Sequence, residues 1–137
     1  MAARALAVTE LVWAFQILAA AQFFLTGLDK VSDAPVMVQL FGAVGFGQWF
    51  RYVTGTIEIV SAVLLLMPRV AAIGAALLAM TMIGALIAHF TVLPFSPVKP
   101  IVLLVMVSIV FSVRRPELFK ASTTLPASPA RRAGHPM

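Results

Sequence analysis

Two side chains of this chain can move a proton or grip a polar head group from within a hydrophobic stretch: Glu58 and His89. Glu58 lies in the run Arg51-Tyr52-Val53-Thr54-Gly55-Thr56-Ile57-Glu58-Ile59-Val60-Ser61-Ala62-Val63-Leu64-Leu65-Leu66-Met67-Pro68-Arg69, whose other charges stand at its two ends. An ionisable group placed so costs roughly 2.5–3.5 kcal/mol on membrane-insertion scales, so it must face protein and find partners. His89 closes the next apolar run. A carboxylate and an imidazole can relay a proton, or hydrogen-bond the carbonyl and hydroxyl of a quinone.

Helical spacing gathers further polar groups around them. Arg51, Thr54, Glu58 and Ser61 recur at intervals of 3, 4 and 3, which is one continuous stripe. In the first apolar run Gln22 and Thr26 are four apart, and Asp29 or Lys30 continues their face. Glu58 lies roughly 10 Å below the Arg51 end, and Gln22 about 12 Å below Lys30, at the helical rise. Glu58, His89, Gln22, Thr54 and Lys30, with Arg51 and Lys99, are therefore expected around one pocket in the outer half of a helical bundle. An untilted hairpin leaves Glu58 and His89 about 15 Å apart in depth, so they read as two ends of an elongated pocket rather than a salt bridge. Each residue also has a plainer reading. Glu58 can pair with Lys30, Arg51 or His89 to fix helix register. Gln22 can be interhelical glue, and Lys30 and Lys99 can snorkel to phosphates.

Other chemistries are excluded. One histidine and one glutamate are too few ligands for a metal site. The only other histidine is His135 in the tail, which rules out bis-histidine haem within the chain. With no cysteine there is no disulfide, iron–sulfur ligation or reactive thiol pair. A serine nucleophile lacks its third partner. No intrinsic cofactor is expected; a bound quinone or lipid is.

The elements that must position these residues are membrane helices. The chain has 137 residues, of which 61% are hydrophobic and 11% charged, more apolar surface than a soluble domain of this size can hide. An all-α, four-span bundle follows, with spans at about 9–28, 50–67, 70–90 and 97–113, each near the ~20 residues a hydrocarbon core requires. The first span reads as retained, not as a cleaved signal, because Glu10 interrupts the leading region and the apolar run continues through Phe23-Phe24-Leu25. Between spans one and two, Ser32-Asp33-Ala34-Pro35 reads as the start of a short apolar helix, Pro35 to Phe41, lying at the outer interface. Pro68-Arg69 is a tight turn that makes spans two and three an antiparallel hairpin. The third span is rich in small residues, with Gly84 and Ala88 as a pair that admits a close helix neighbour. Ser108 and Ser112 of the fourth are expected to bond their own helix. Residues 116–137 form a flexible basic tail rich in Pro, Ala and Ser, and Arg114 and Arg115 anchor span four to anionic head groups.

The net charge of +5 is a topology signal and does not indicate nucleic acid. Arg4, Arg69, Arg114, Arg115, Lys120, Arg131 and Arg132 fall on the side of the termini, and Lys30, Arg51 and Lys99 on the other. Both termini are therefore expected in the cytoplasm.

In its motifs the chain resembles the DoxX-like family of small four-span bacterial membrane proteins. Gly27-Leu28-Asp29-Lys30 matches that family's G-x-x-K signature. Gly55-Thr56-Ile57-Glu58, followed by Leu64-Leu65-Leu66-Met67-Pro68-Arg69, matches its second span and Pro-basic turn. Ala71-Ala72-Ile73-Gly74-Ala75-Ala76-Leu77-Leu78, Met82-Ile83-Gly84-Ala85 and His89 match its third. The resemblance covers residues 10–115. It implies a four-helix membrane bundle and a role beside quinone-linked or redox-stress membrane complexes; distant eukaryotic relatives are membrane chaperones. It implies more about Lys30, Glu58 and His89 than about any reaction. The expectation is thus a redox-linked accessory subunit, binding a lipophilic molecule through Glu58 and His89 and serving a partner protein that carries the redox cofactor. The alternatives are a non-enzymatic scaffold or chaperone, or a small-molecule transporter, which four spans can form only as a homo-oligomer.

Overall fold

The computed structural model describes residues 2–123, and among them there are five helices and no strand: α1 (Ala2–Val31), α2 (Pro35–Val44), α3 (Gln48–Leu65), α4 (Ala71–Thr91) and α5 (Val98–Thr123). α1 packs on α3, α3 on α4, α4 on α5, and α5 returns to α1, while the short α2 leans on α3 and α1. The α1–α5 seam is the thinnest of the four.

Small side chains build the interior. Ala19, Ala20 and Phe23 of α1 meet Ala62 and Leu65 of α3, Ala75, Leu78 and Met82 of α4, and Leu103, Val107 and Val110 of α5. Leu18, Leu25, Met80, Ile83, Ile87, Phe90 and Val105 face outward. Such an exterior is the inverse of a soluble surface and suits hydrocarbon. Two helices, α1 and α4, are long and apolar enough to cross a membrane. α3 carries Arg51 and Glu58, and α5 carries Lys99, Arg114 and Arg115.

The expected short helix after span one is present, Pro35–Val44, with Pro35 in its first turn. Asp33 does not cap it. The N-cap is Ala34, with no side-chain cap bond, and Asp33 sits in the left-handed region at φ 61°, its carboxylate turned to α3 instead. Leu66 to Val70 make the α3–α4 turn, with Met67 N–H bonded to the Leu64 carbonyl at 3.0 Å. α5 does not end at the arginine pair. It continues through Pro116 to Thr123, although proline removes the donor that the Ser112 carbonyl would otherwise use. Of the tail expected to be flexible, 116–137, residues 116–123 belong to α5, and 124–137 lie outside the described residues.

Candidate functional site

A close crossing of α1 on α3 decides which polar groups meet. A Cβ added to Gly27 would lie 2.7 Å from Ile59 Cγ1 and 2.9 Å from the Gly55 carbonyl oxygen, and one added to Gly55 would lie 2.9 Å from the Gly27 carbonyl oxygen and from Lys30 Cβ. Only glycine lets the two backbones touch here. Lys30 follows Gly27 and Glu58 follows Gly55 by three residues each, so the crossing brings both side chains to one interface.

Lys30 Nζ donates to Glu58 Oε2 at 2.8 Å and to Oε1 at 3.1 Å. Thr26 Oγ1 lies 3.1 Å from Oε2. That hydroxyl is also near its own Gln22 and Phe23 carbonyls, but it has one proton to give, and the carboxylate is the strongest acceptor of the three. Glu58 is 1% exposed and Lys30 12%. The pair is thus a sealed ion pair within the helix interface, reached only along the lysine stem.

Arg51 is fully engaged elsewhere. Its guanidinium donates to the Lys30 carbonyl and the Asp33 carboxylate, and its Nε donates to Gln48 Oε1 at 2.8 Å. Gln48 in turn donates to the Val38 carbonyl of α2 at 3.1 Å, and the Tyr52 hydroxyl donates to Asp33 at 2.5 Å. The result is a clasp holding the α1–α2 corner on α3. The Tyr52 hydroxyl, and after it Arg51, hold the Asp33 carboxyl below its ordinary range.

The remaining sequence-derived candidates lie apart from Glu58. Thr54 Oγ1 donates to the Phe50 carbonyl of its own helix at 2.8 Å. His89 Nδ1 is 2.7 Å from its own Ala85 carbonyl, so the imidazole is tied to α4 and makes no bond to Glu58 or Lys30. Gln22 is turned from the ion pair into a groove of about 410 Å³ at the α1–α5 seam, lined by Leu18, Gln22, Lys99, Val102, Leu103 and Met106. A second groove, of about 500 Å³, runs along α5 beside Ser108 and Ser112; both serines bond their own helix carbonyls. Neither groove contains Glu58 or His89. Among the described residues no three metal-ligating side chains come together.

A second buried polar group, at the Arg114 end, has no counterpart among the expected site residues. Gln16 Nε2 donates to the Leu65 carbonyl at 2.7 Å, supplying a donor at the last turn of α3. Its Oε1 accepts from Arg114 Nε at 2.8 Å. Arg114 also pairs with Glu117 at 2.8 Å and lies 5.1 Å from the Trp13 ring centroid. It is 8% exposed, so it is folded inward and does not reach out to head groups as expected; Arg115 is exposed. One signal of this group is visible in the sequence, the amide of Gln16 inside an apolar run, since such a group must find partners there.

The sequence profile of the DoxX-like family matches residues 14–112. The chain is also similar to a Bacillus subtilis (strain 168) protein named "Putative oxidoreductase CatD", with 34% identity over 73 residues. That match covers 53% of this chain and 54% of the relative, so the chain spans about half the length of that protein. No solved structure matches the chain.

Proposed function

We propose, for a chain that belongs to the DoxX-like family, a redox-linked accessory membrane protein that holds a quinone-type lipophilic molecule for a partner carrying the redox cofactor. The observation that supports this best is the α1–α5 groove. One end of it is polar: the Gln22 amide donates and accepts, and the Lys99 ammonium donates. Its other walls are the side chains of Leu18, Val102, Leu103 and Met106. A flat head with hydrogen-bond acceptors on a hydrocarbon tail matches that change of polarity. The name of the Bacillus subtilis relative is in keeping with a redox link. In this reading α1, α3, α4 and α5 all cross a bacterial inner membrane, with both termini in the cytoplasm by the distribution of basic residues. Gln22 and Lys99 meet the head group, and the Lys30–Glu58 pair keeps α1 in register with α3 behind them. Arg51 and Thr54 act within the scaffold, and His89 serves α4.

The test is the quinone content of protein purified in native lipid particles, measured by mass spectrometry. Gln22→Leu and Lys99→Met are each expected to lower it. Wild-type content in both variants, or none in the parent protein, overturns the reading. A scaffold role is favoured by one observation. A Cβ on Gly84 would meet nothing within 4 Å, and Met80, Ile83 and Ile87 beside it are exposed. Docking of a partner helix there predicts that Gly84→Leu abolishes co-purification of a partner and leaves quinone content unchanged.

A further inference from the structure

The α1–α5 seam differs at its two ends. Toward Lys99 it is an open groove. Toward the other end it is closed by a buried polar contact, Arg114 Nε to Gln16 Oε1 at 2.8 Å. Gln16 is 0% exposed, and through its own amide it also holds the Leu65 carbonyl of α3. Arg114 is thereby linked to α3 through α1. Contact elsewhere along the seam is sparse, and among the described residues this is the one side-chain hydrogen bond between α1 and α5, so it is the seam's specific fastening.

The closed arrangement is not fully satisfied. Arg114 gives Nε to Gln16 and Nη1 to Glu117, but its Nη2 is buried without a hydrogen-bond partner among the described residues. An unfilled donor on a charged group weighs against the state that buries it. Opening the seam exposes that nitrogen to an oxygen acceptor, whether water or a lipid head, and so recovers part of what opening loses. A fastening with such a partial offset can be released.

We propose that Gln16 and Arg114 are positioning residues forming a latch at the inner end of the α1–α5 seam, and that the latch sets the width of the groove above it. The seam is then the lateral route by which a lipophilic molecule passes between bilayer and groove. Only this last step rests on the reading of the groove as a ligand site; the latch itself is a statement about helix spacing. Arg114 touches no ligand in this scheme. It acts through Gln16 on the separation of two helices. The i,i+3 pair with Glu117 lies within α5 and contributes nothing to the seam.

The chain has no cysteine, so spin labels can be placed at will. One pair, at Leu25→Cys and Ile101→Cys, spans the seam on exposed positions; a second, at Leu25→Cys and Val53→Cys, spans α1 and α3. Distances are measured by pulsed electron resonance in lipid bilayers, with no quinone added. Gln16→Leu and Arg114→Leu are each expected to lengthen and broaden the α1–α5 distance by at least the ~1–2 Å of a helix shift; Arg114→Leu, which keeps the Gln16 bond to the Leu65 carbonyl, is expected to leave the α1–α3 distance unchanged. Glu117→Gln is expected to leave both distances at their parent values. An unchanged α1–α5 distance in Gln16→Leu and Arg114→Leu overturns the latch. So does a change of both distances in Arg114→Leu, which would mean general loosening, or an equal effect of Glu117→Gln. A seam that opens in protein that never binds quinone would sustain the latch and remove the ligand reading, so the two fail separately.

Discussion

Lys30→Met tests whether the buried ion pair governs the α1–α3 interface. The substitution keeps the apolar stem and removes the ammonium, leaving the Glu58 carboxylate with the Thr26 hydroxyl alone at 1% exposure. Breaking a buried pair by deleting one partner costs about 3–5 kcal/mol. The insertion cost of a lone acid at a helix centre, roughly 2.5–3.5 kcal/mol, gives a similar figure by a separate route. Glu58→Leu strands the other charge, but Lys30 ends its helix, is already 12% exposed, and carries a long stem that can turn outward. It should therefore cost less than Lys30→Met. The double variant removes both desolvation costs and should return to within about 1 kcal/mol of the parent, as apolar replacements of buried pairs do. The assay is reversible unfolding in mixed micelles, followed by helical circular dichroism and read as a double-mutant cycle. Ordinary interhelical hydrogen bonds in membranes couple by only about 0.6 kcal/mol on average. A coupling of that size, or additive single effects, would refute the claim that the pair pins the interface.

Gly27→Ala should destabilise by about 1–3 kcal/mol, because its Cβ would meet Ile59 and the Gly55 carbonyl. Gly84→Ala, with open space around it, should leave unfolding unchanged or improve it by up to ~1 kcal/mol through helix propensity. Ser61→Ala should be neutral or stabilising in the same unfolding measurement: the Ser61 hydroxyl is buried without a partner among the described residues, while Thr54, Thr81 and Ser108 all bond their own helices. The Asp33 carboxyl is depressed in the fold, so its contribution is present above its unfolded pKa of about 3.9 and is lost as pH falls through the lower folded value. Protection of the amides around residues 32–38 against exchange, corrected for the intrinsic pH dependence, should fall below about pH 4 in the parent and show no such step in Asp33→Asn.

What could be read from the sequence followed helical period. The stripe through Arg51, Glu58 and Ser61 is buried along α3, because three- and four-residue spacing fixes a face regardless of the partner helix. Choice of partner was a different matter. Lys30, Arg51 and His89 were all open to Glu58, and the depth estimate separating Glu58 from His89 excluded only a direct bond. Selection came from the Gly27–Gly55 contact, a property of two distant segments that neither displays alone. Arg51, on the same stripe, instead pairs with Asp33, which reads in the sequence only as part of the helix start Ser32-Asp33-Ala34-Pro35. The corner turns at Asp33 in the left-handed region, and that conformation has no hydrophobic period to betray it.

Rotation about a helix axis also decides what Arg114 meets. An arginine that closes an apolar run is ordinarily an interfacial anchor, and its neighbour Arg115, equally placed in sequence, is exposed. One residue is 100° of helix. That rotation turns Arg114 from the exterior toward Gln16, 98 positions earlier in the chain, and turns Arg115 away. The two polar layers therefore hold the ring differently. Lys30–Glu58 binds α1 to α3 through an ion pair whose carboxylate is sealed in the interface, while Gln16–Arg114 binds α1 to α5 through a single hydrogen bond with one donor left unfilled among the described residues. If either seam of α1 is to move, the second is the one whose fastening leaves room for it.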